Sequence, residues 1–355
     1  MEDHQRYEPI RANWHGKPYY SLDAFCKNTY GEKLYKIALN AGMTCPNRDG
    51  TLGNRGCIFC SAGGSGDFAI PMDVPMGVPM EKSMDVSSLK DGAIQADAVS
   101  AFASVCEKGI SALSGKKTGR RFIAYFQAYT NTYAPVSYLE KIYRLALAMP
   151  SVAGISIATR PDCLSASVME LLIKLREEYA PKFIWLELGL QTIHEDTAIL
   201  IRRGYPLSCF ENQIHELQKA DIAVITHVIL GLPGESPQDM LATVHYLNEQ
   251  PIWGVKLQLL HILKGTDLGC LWEKDPASYS SFPTLDLYID VLIETLEHLR
   301  PDMVVHRVTG DAPKALLLFP LWSANKRLVL NTLHKRMKEQ NAWQGKYWEH
   351  TIKDF

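Results

Sequence analysis

The sequence predicts an α/β fold, a partial (β/α)6 barrel of the TIM type followed by a small α+β extension at the C-terminal end. Three observations predict it: short β-rich runs recur about every 30 residues, helical patterns separate them, and the runs are almost continuously apolar. Continuous apolar runs are typical of a parallel sheet that is covered on both faces. A doubly wound open sheet is the alternative architecture.

The strands of the barrel are predicted in chain order. The first spans 34–41, and the later ones span 121–126, 153–158, 183–188, 223–229 and 253–259. The helices that follow the second to fifth strands span 137–149, 165–179, 208–220 and 237–250. A serine suited to N-capping stands at the start of each helix, namely Ser137, Ser165, Ser208 and Ser236. Beyond residue 280 the pattern predicts a helix (285–299), a strand (303–308) and a helix (323–338).

We expect three segments: an N-terminal arm (1–33), the barrel (34–280) and the C-terminal extension (281–355). The barrel includes a Met/Pro-rich stretch over 71–88, where prolines at four-residue intervals forbid a helix. An irregular surface insertion is the prediction for this stretch. A methionine-lined lid near the active site is the alternative.

Charge excludes one class of function. The chain has 37 basic and 39 acidic side chains, so its net charge of −2 does not support nucleic-acid binding by bulk charge. The tail from 323 to 355 is different, because it holds seven Lys or Arg against three Asp or Glu, with Trp343, Tyr347 and Trp348 interleaved. Basic residues interleaved with aromatics are able to contact RNA, but a solvated amphipathic helix is the commoner structure for such a segment.

The N-terminus lacks the apolar core of a signal peptide, and no apolar run is long enough to span a membrane. We therefore predict a cytoplasmic protein with reduced thiols and no membrane partner. Eight cysteines then do not predict four disulfides.

Three of the cysteines stand close together in the sequence. Cys45, Cys57 and Cys60 are separated by eleven and then two residues, in a glycine-rich loop directly after the first strand. Barrels carry their chemistry on loops of this kind. Three thiolates can hold a [4Fe–4S] cluster and leave one iron open to a ligand. Zinc with a fourth ligand such as Cys26, redox thiols and ordinary core cysteines are the alternatives.

The other five cysteines (Cys26, Cys106, Cys163, Cys209 and Cys270) have no ligand spacing, and we expect them to be buried single thiols.

The cysteine loop resembles a lengthened form of the radical S-adenosylmethionine (radical SAM) cluster motif, C-x3-C-x2-C, with Phe59 in the usual aromatic position. The first gap departs from that motif. Further phrases point to one group, the YhcC-like radical SAM family, which is related to the radical SAM catalytic domain of Elongator protein 3. The resemblance covers about residues 18 to 322 and rests on GMTCPNRDG (42–50), GCIFCSAGGSGDF (56–68), YFQAYTNTYAP (125–135), ATRPDCL (158–164), LELGLQT (186–192), ILGLPGE (229–235), LLHILKGT (259–266) and RVTGDAP (307–313).

The resemblance implies that Cys45, Cys57 and Cys60 hold a [4Fe–4S] cluster whose fourth iron is chelated by SAM. One electron from an external flavodoxin- or ferredoxin-type donor then cleaves SAM to methionine and a 5′-deoxyadenosyl radical, which abstracts hydrogen from a substrate. RNA, in particular tRNA, and a small metabolite are the substrate hypotheses. A cluster- or metal-binding sensor without turnover is the alternative function.

The resemblance also implies residues that bind SAM. The loop after the second predicted strand contains Ala128, Tyr129, Thr130 and Asn131, where related enzymes have a Gly-Gly-Glu-like segment for the SAM amino group. This chain lacks those glycines, so a plain polar loop is the alternative. Arg160 follows the next strand and is suited to a carboxylate, or to a solvated turn.

The next two strands interrupt their apolar runs with polar residues. The resemblance favours Glu187 and Gln191 facing the cavity, and an internal hydrogen-bonded pair is the alternative. Lys256 suggests an anionic ligand, or a salt bridge to Glu187. Glu187 and Lys256 are the catalytic candidates, and His227 is as consistent with a core histidine as with a functional one.

After the fifth predicted strand, the segment Gly231, Leu232, Pro233 is expected to lie against the SAM adenine, or only to form a tight turn. Arg307, Thr309 and Asp311 form a late polar cluster to which the sequence assigns no role.

Overall fold

Strands and helices alternate along the chain as its apolar runs predict. A computed structural model describes residues 11–72, 96–111 and 119–348. The strands are β1 (Tyr35–Asn40), β2 (Ile70–Pro71), β3 (Phe122–Phe126), β4 (Val152–Thr159), β5 (Phe183–Gln191), β6 (Ala223–Leu230), β7 (Gly254–Leu259), β8 (Ile262–Leu263), β9 (Val304–Arg307) and β10 (Leu317–Phe319).

The helices connect these strands. They are α1 (Leu22–Tyr30), α2 (Ala96–Ser111), α3 (Val136–Ala148), α4 (Ala166–Glu178), α5 (Glu195–Leu200), α6 (Leu207–Lys219), α7 (Pro237–Asn248), α8 (Asp267–Lys274), α9 (Pro276–Tyr279), α10 (Leu285–His298) and α11 (Lys326–Glu339). None of the helices in the described ranges is both long enough and apolar enough to cross a membrane.

The chain divides into two compact units. The central unit comprises 34–46 and 63–186, and the terminal unit comprises 1–33, 47–62 and 187–355, within the described ranges. Strand β5 contributes its first half to the central unit and its second half to the terminal unit. The predicted division into an arm, a barrel and an extension stays a prediction.

Parallel pairing in chain order confirms the partial barrel. The central unit has the order β2-β1-β3-β4-β5, and the terminal unit has β5-β6-β7-β9. The pairs β1–β2, β1–β3, β3–β4, β6–β7 and β7–β9 are parallel. A doubly wound sheet reverses its order at a switch point, whereas β3 to β7 follow one another without reversal.

Burial agrees with the predicted covering of both faces. Every residue of β3 and β4 is buried. In the central unit, Phe126 on β3 contacts Tyr143 on α3 with ring centroids 5.2 Å apart. In the terminal unit, a cluster of buried aliphatic side chains surrounds Ile58 and includes Leu232 and Leu260.

Two N-caps are as predicted and two are not. The Ser165 hydroxyl accepts a hydrogen bond from the Val168 amide, and Ser236 forms a capping box with Asp239. Helices α3 and α6 instead begin one residue before Ser137 and Ser208. The N-cap residue of each is a proline, and its side chain makes no capping hydrogen bond. The predicted caps Ser137 and Ser208 are therefore wrong.

The C-terminal part of the chain adds a strand to the sheet. The predicted strand 303–308 is β9, which pairs with β7, and the small antiparallel sheet of β8 and β10 was not predicted. Most of the Met/Pro-rich stretch, from residue 73 onward, and the end of the basic tail lie outside the described residues.

Candidate functional site

The cysteine loop of the terminal unit is held by its own polar side chains. The Cys60 amide donates to the Cys57 carbonyl over 3.1 Å, which closes the turn between the two thiols. The Arg48 guanidinium donates to the carbonyls of Cys60 (3.0 Å) and Ser61 (2.6 Å). A Cβ at Gly56, where φ is +74°, would lie 2.8 Å from Arg48 Nε. Glycine is therefore required where the loop wraps around this arginine.

The Cys57 thiol has two polar neighbours. Asn47 Nδ2 donates to Cys57 Sγ over 3.5 Å, and the thiol donates to the Arg202 carbonyl over 3.4 Å. The same amide nitrogen lies 2.8 Å from the Arg202 oxygen and 3.3 Å from that of Arg203. Amide donors to sulfur are one of the means by which proteins tune iron–sulfur clusters.

Arg202 has an unusual backbone conformation. Its φ is +57°, in the left-handed region that non-glycine residues rarely adopt. Arg203 next to it is buried and donates to the carbonyls of Leu190 (3.1 Å) and Thr192 (2.7 Å), and to Glu195. The buried guanidinium therefore fixes the segment that contacts Cys57.

Cys45 belongs to the central unit. The residue before it, Thr44, accepts a hydrogen bond from the Thr130 amide over 3.2 Å, so the backbone at Cys45 is tied to the loop after β3. Burial, before the nearby charge of Asp162, raises the pKa of the Cys163 thiol to about 12. Cys163 thus stays protonated at neutral pH.

All eight cysteines are free thiols, and Cys45, Cys57 and Cys60 are each half-buried. Over residues 11–72, 96–111 and 119–348, no three His, Cys, Asp or Glu side chains converge as a ready metal site. The ligand set therefore rests on the cysteine spacing. The donors nevertheless fit an iron–sulfur cluster, since they are soft, reduced sulfurs in a loop that supplies an N–H donor to one of them.

The loop after β3 is largely buried. Ala128, Thr130 and Asn131 are almost fully buried, and Tyr129 has φ +60°. The Asn131 side-chain nitrogen donates to the Ala158 carbonyl over 2.9 Å, while its Oδ1 is buried without a hydrogen-bond partner among the described residues. An unsatisfied buried acceptor of this kind is costly and suits a ligand that carries an N–H group.

A glycine-rich segment packs against this loop. The Tyr129 amide donates to the Gly64 carbonyl over 3.0 Å, and a Cβ at Gly66 would lie 2.5 Å from the Cβ of Ala128. Gly64 and Gly66, from another part of the chain, therefore lie directly against the loop after β3.

Arg160 is buried and already engaged. Its guanidinium makes two hydrogen bonds to the carboxylate of Asp162, of 2.9 and 2.7 Å, and the side chain is 9% exposed. It is not the solvated turn residue considered from the sequence.

Glu187, His227 and Lys256 form a group of interacting polar side chains on neighbouring strands of the terminal unit. Glu187 Oε2 accepts from Lys256 Nζ and lies 2.7 Å from His227 Nε2. Glu187 is fully buried, and Lys256 is nearly so. The salt bridge that the sequence offered as the alternative for Lys256 is therefore present.

Gln191 ends β5 in a strained conformation, with φ +63°. Its side-chain oxygen accepts from the Tyr205 hydroxyl over 3.3 Å, and a Cβ at Gly189 would lie 2.5 Å from its Nε2. Strained non-glycine residues cluster at functional sites, and Tyr129 and Gln191 are both among the residues predicted to bind SAM.

The segment after β6 has a tight turn and an apolar wall. Gly231 has φ +87°, and its carbonyl accepts from the Ser281 hydroxyl over 2.8 Å. Leu232 is fully buried in the aliphatic cluster around Ile58, against which Phe59 also packs. Pro233 is buried as well. Two residues predicted for SAM binding, Phe59 and Leu232, thus share one apolar cluster.

Comparison with known proteins places the chain in a family. The model of the radical SAM superfamily matches residues 50–247, and the radical SAM C-terminal domain matches residues 252–339. The chain belongs to the radical SAM superfamily. Relatives within it are YtqA of Bacillus subtilis, 38% identical over 333 residues and 94% of each chain, and YhcC of Escherichia coli, 32% identical over 322 residues, 90% of this chain and 93% of that protein. The resemblance found in the motifs is confirmed.

More distant matches of this radical SAM chain are partial. Human Elongator complex protein 3 is 26% identical over 191 residues, which is 53% of this chain and 32% of that protein. The solved structure of archaeal Elp3 from Methanocaldococcus infernus has a TM-score of 0.54 and 15% identity, covering 70% of this chain and 59% of that one. The structural match supports the fold alone. Proteins of the radical SAM superfamily use a [4Fe–4S] cluster and SAM, and these are the cofactors of the chain.

Sequence reasoning missed the residues that support the radical SAM cluster loop. Asn47 and Arg48 stand inside the quoted phrase GMTCPNRDG, and they were not singled out. Arg202 and Arg203 lie in the stretch after β5, where the helix α5 was not predicted either. The adjacent Arg202 and Arg203, followed by Gly204, were the sequence feature that could have indicated this supporting segment.

Proposed function

We propose that this chain is a radical SAM enzyme in which Cys45, Cys57 and Cys60 hold the [4Fe–4S] cluster. The observation that carries the proposal is the surroundings of Cys57, whose sulfur accepts a hydrogen bond from the buried Asn47 side chain. When bound, the cluster and SAM supply a one-electron cleavage that yields a 5′-deoxyadenosyl radical able to abstract hydrogen. An external flavodoxin- or ferredoxin-type protein is the source of the electron.

The chain's own residues bind and orient SAM. In the central unit, Asn131 Oδ1 is a buried acceptor suited to the SAM amino group, within the loop Ala128, Tyr129, Thr130. In the terminal unit, the partly buried Phe59 is suited to contact adenine, the buried Leu232 and Pro233 would shape the apolar wall, and Gly231 makes the turn.

The polar side chains proposed for SAM binding or catalysis already have hydrogen-bond partners within the protein. Arg160 would bind the SAM carboxylate by exchanging its contact with Asp162, and Gln191 would keep its strained backbone at the end of β5. Glu187 and Lys256 are proposed as catalytic residues, since a buried ion pair is a place where a proton can be held or moved near a substrate.

The test is anaerobic reconstitution of the full chain. We expect about four iron atoms per chain, and release of 5′-deoxyadenosine from SAM on reduction with dithionite. Cys57→Ala should abolish both, because a cluster ligand is lost. Cys209→Ala is the matched control, since Cys209 is also a half-buried free thiol but has no ligand spacing.

Three outcomes distinguish the alternatives. Iron without SAM cleavage would favour the sensor function and contradict the proposed enzyme. Bound zinc in place of iron would contradict the cluster. Equal loss of iron in Cys57→Ala and Cys209→Ala would show that the effect is not specific to the ligand.

The structure bears on the RNA hypothesis through the C-terminal segment. Of the six cations that the structure describes from 323 onward, four make ion pairs with carboxylates: Lys326, Lys335, Arg336 and Lys346. Trp343 is buried, so its ring is not available for stacking on a base. A small metabolite is therefore the first substrate hypothesis, and RNA or tRNA remains the second.

Charge substitution tests RNA better than truncation, because residues up to 348 pack on the terminal unit. RNA retained by the wild type at low salt and lost in Arg327→Glu/Lys338→Glu would support RNA binding by this segment. Absence of retained RNA in the wild type would contradict it.

A further inference from the structure

We propose that a groove beside the cysteine loop is the docking surface for the electron donor, a small acidic electron-transfer protein of the flavodoxin type. The groove lies between residues 47–56 and residues 195–206, both in the terminal unit. This inference rests on the proposed function, because it takes Cys57 as a ligand of the cluster that receives the electron.

The groove is lined by exposed aliphatic side chains and by arginines. Its volume is about 670 Å³. Leu52 and Ile199 line it and are unusually exposed for such side chains, at 55% and 73%. Arg55 and Arg202 line it as well. Exposed aliphatic side chains of this size that line one concave surface are typical of sites where another protein binds.

The wall of the groove is also the wall of the cysteine loop. Gly56, which lines the groove, immediately precedes Cys57 in the chain. Arg202 presents its side chain to the groove and its carbonyl oxygen to Cys57 Sγ, 3.4 Å away. Asn47 lines the groove and donates to the same sulfur. A protein bound in the groove is therefore separated from the Cys57 sulfur by a single layer of residues.

Charge selects the kind of partner. Arg55 and Arg202 both pair with the carboxylate of Asp267, so two cations share one anion. The carboxylate in the groove, Glu195, is paired with the buried Arg203. An excess of positive charge around an apolar centre suits an acidic partner, and weak electron-transfer complexes have small interfaces that depend on such steering.

A second copy of this chain is a poorer fit for the groove. A symmetric dimer would bring the same surface from both chains together, and Arg55 and Arg202 would then face their own equivalents. Like charges opposed in this way disfavour the contact.

The reaction at this surface is a single electron transfer. The reduced flavin of the donor loses one electron and the oxidised cluster gains it, so the donor is oxidised by one electron and the cluster reduced by one. No covalent bond of this chain forms or breaks.

The test measures cluster reduction directly. Reconstituted protein is mixed anaerobically with photoreduced flavodoxin, and the bleaching of the cluster's visible absorbance is followed by stopped flow. The variant Ile199→Glu/Arg55→Gln should lower the second-order rate constant at least about tenfold, because it removes an apolar contact and a steering charge. Reduction by dithionite, which needs no docking, should stay within about twofold of the wild type.

The control variant is Leu321→Glu/Lys335→Gln, which changes residues of similar exposure outside the groove: Leu321 is 69% exposed and the Lys335 side chain 75%, against 73% for Ile199 and 72% for the Arg55 side chain. It should leave both rates unchanged. The wild-type rate with flavodoxin should fall as salt is raised, since salt screens the charges.

Each contrary result is informative. An unchanged flavodoxin rate in Ile199→Glu/Arg55→Gln would overturn the docking surface and leave the proposed function intact. Slower reduction by both reductants would show that the substitutions damage the cluster site, and would also overturn it. A cluster that flavodoxin reduces through this groove in a protein that never cleaves SAM would contradict the proposed function but support the docking surface.

Discussion

Asn47 is the residue with the largest number of roles at the cysteine loop. Its side-chain nitrogen lies within 3.5 Å of the Cys57 sulfur and within hydrogen-bond distance of the carbonyl oxygens of Arg202 and Arg203. Asn47 thus holds the loop on the segment that follows β5 and gives one thiol an N–H donor. The contact joins residues 155 positions apart. No local pattern in the sequence can predict such a pair, because it depends on how distant segments pack.

Asn47→Leu should lower the reduction potential of the cluster. An N–H donor stabilises the more negative, reduced state, and a hydrogen bond worth about 1 kcal/mol corresponds to on the order of 40 mV for a one-electron couple. A potentiometric titration followed by EPR measures the shift. Asn54→Leu, an exposed position of the same loop, is the control. Equal potentials in Asn47→Leu and the wild type would contradict the role of this hydrogen bond.

Elements were predicted well where their signal is local. The six barrel strands were found because they are continuously apolar, and helices α4 and α7 because Ser165 and Ser236 cap them. Ser137 and Ser208 were wrong predictions of N-caps, because Pro135 and Pro206 occupy the N-cap positions of α3 and α6. The fixed φ of proline is compatible with the start of a helix. The short helix α5 and the sheet of β8 and β10 carry too few residues to show a period.

Ser236→Ala should destabilise the protein by about 1 kcal/mol, because the Asp239 amide at the start of α7 loses the Ser236 hydroxyl as its acceptor, while the bond from the Ser236 backbone amide to the Asp239 carboxylate remains. Ser208→Ala should have little effect, since Ser208 lies inside α6 and makes no cap. Urea unfolding of the two variants beside the wild type measures the difference. A larger loss in Ser208→Ala than in Ser236→Ala would contradict these assignments of the helix starts.

At the scale of the whole molecule, the half-buried His261 links stability to pH. Burial lowers the pKa of His261 from 6.5 to about 4. The negative charge of Asp311 opposes this shift, and the positive charge of Arg307 adds to it. Its Nε2 is buried without a hydrogen-bond partner among the described residues. The unfolded chain binds a proton at His261 below pH 6.5, whereas the folded chain resists it down to about pH 4. The stability that the neutral ring contributes is therefore present above pH 6.5 and is lost as the pH falls toward 4.

Between pH 7 and pH 5, the wild type should lose about 2 kcal/mol more unfolding free energy than His261→Gln, which has no titrating group at this position. Urea unfolding at the two pH values measures both losses. His215→Gln, at an exposed position of α6, should behave as the wild type does. The same pH dependence in His261→Gln and the wild type would contradict the assignment.

The hydrogen bonds of Gln344 join segments of the chain that are synthesised far apart in time. Its side chain accepts from the Tyr20 amide and donates to the carbonyls of Arg300 and Met303, and its own amide donates to the Pro18 carbonyl. At a synthesis rate of about 5–20 residues per second, more than 300 residues separate the appearance of Pro18 from that of Gln344, an interval of tens of seconds. Throughout that interval the N-terminal segment lacks the hydrogen bonds that Gln344 provides in the folded protein. A chaperone that shields this segment until translation ends would therefore raise the yield of folded protein.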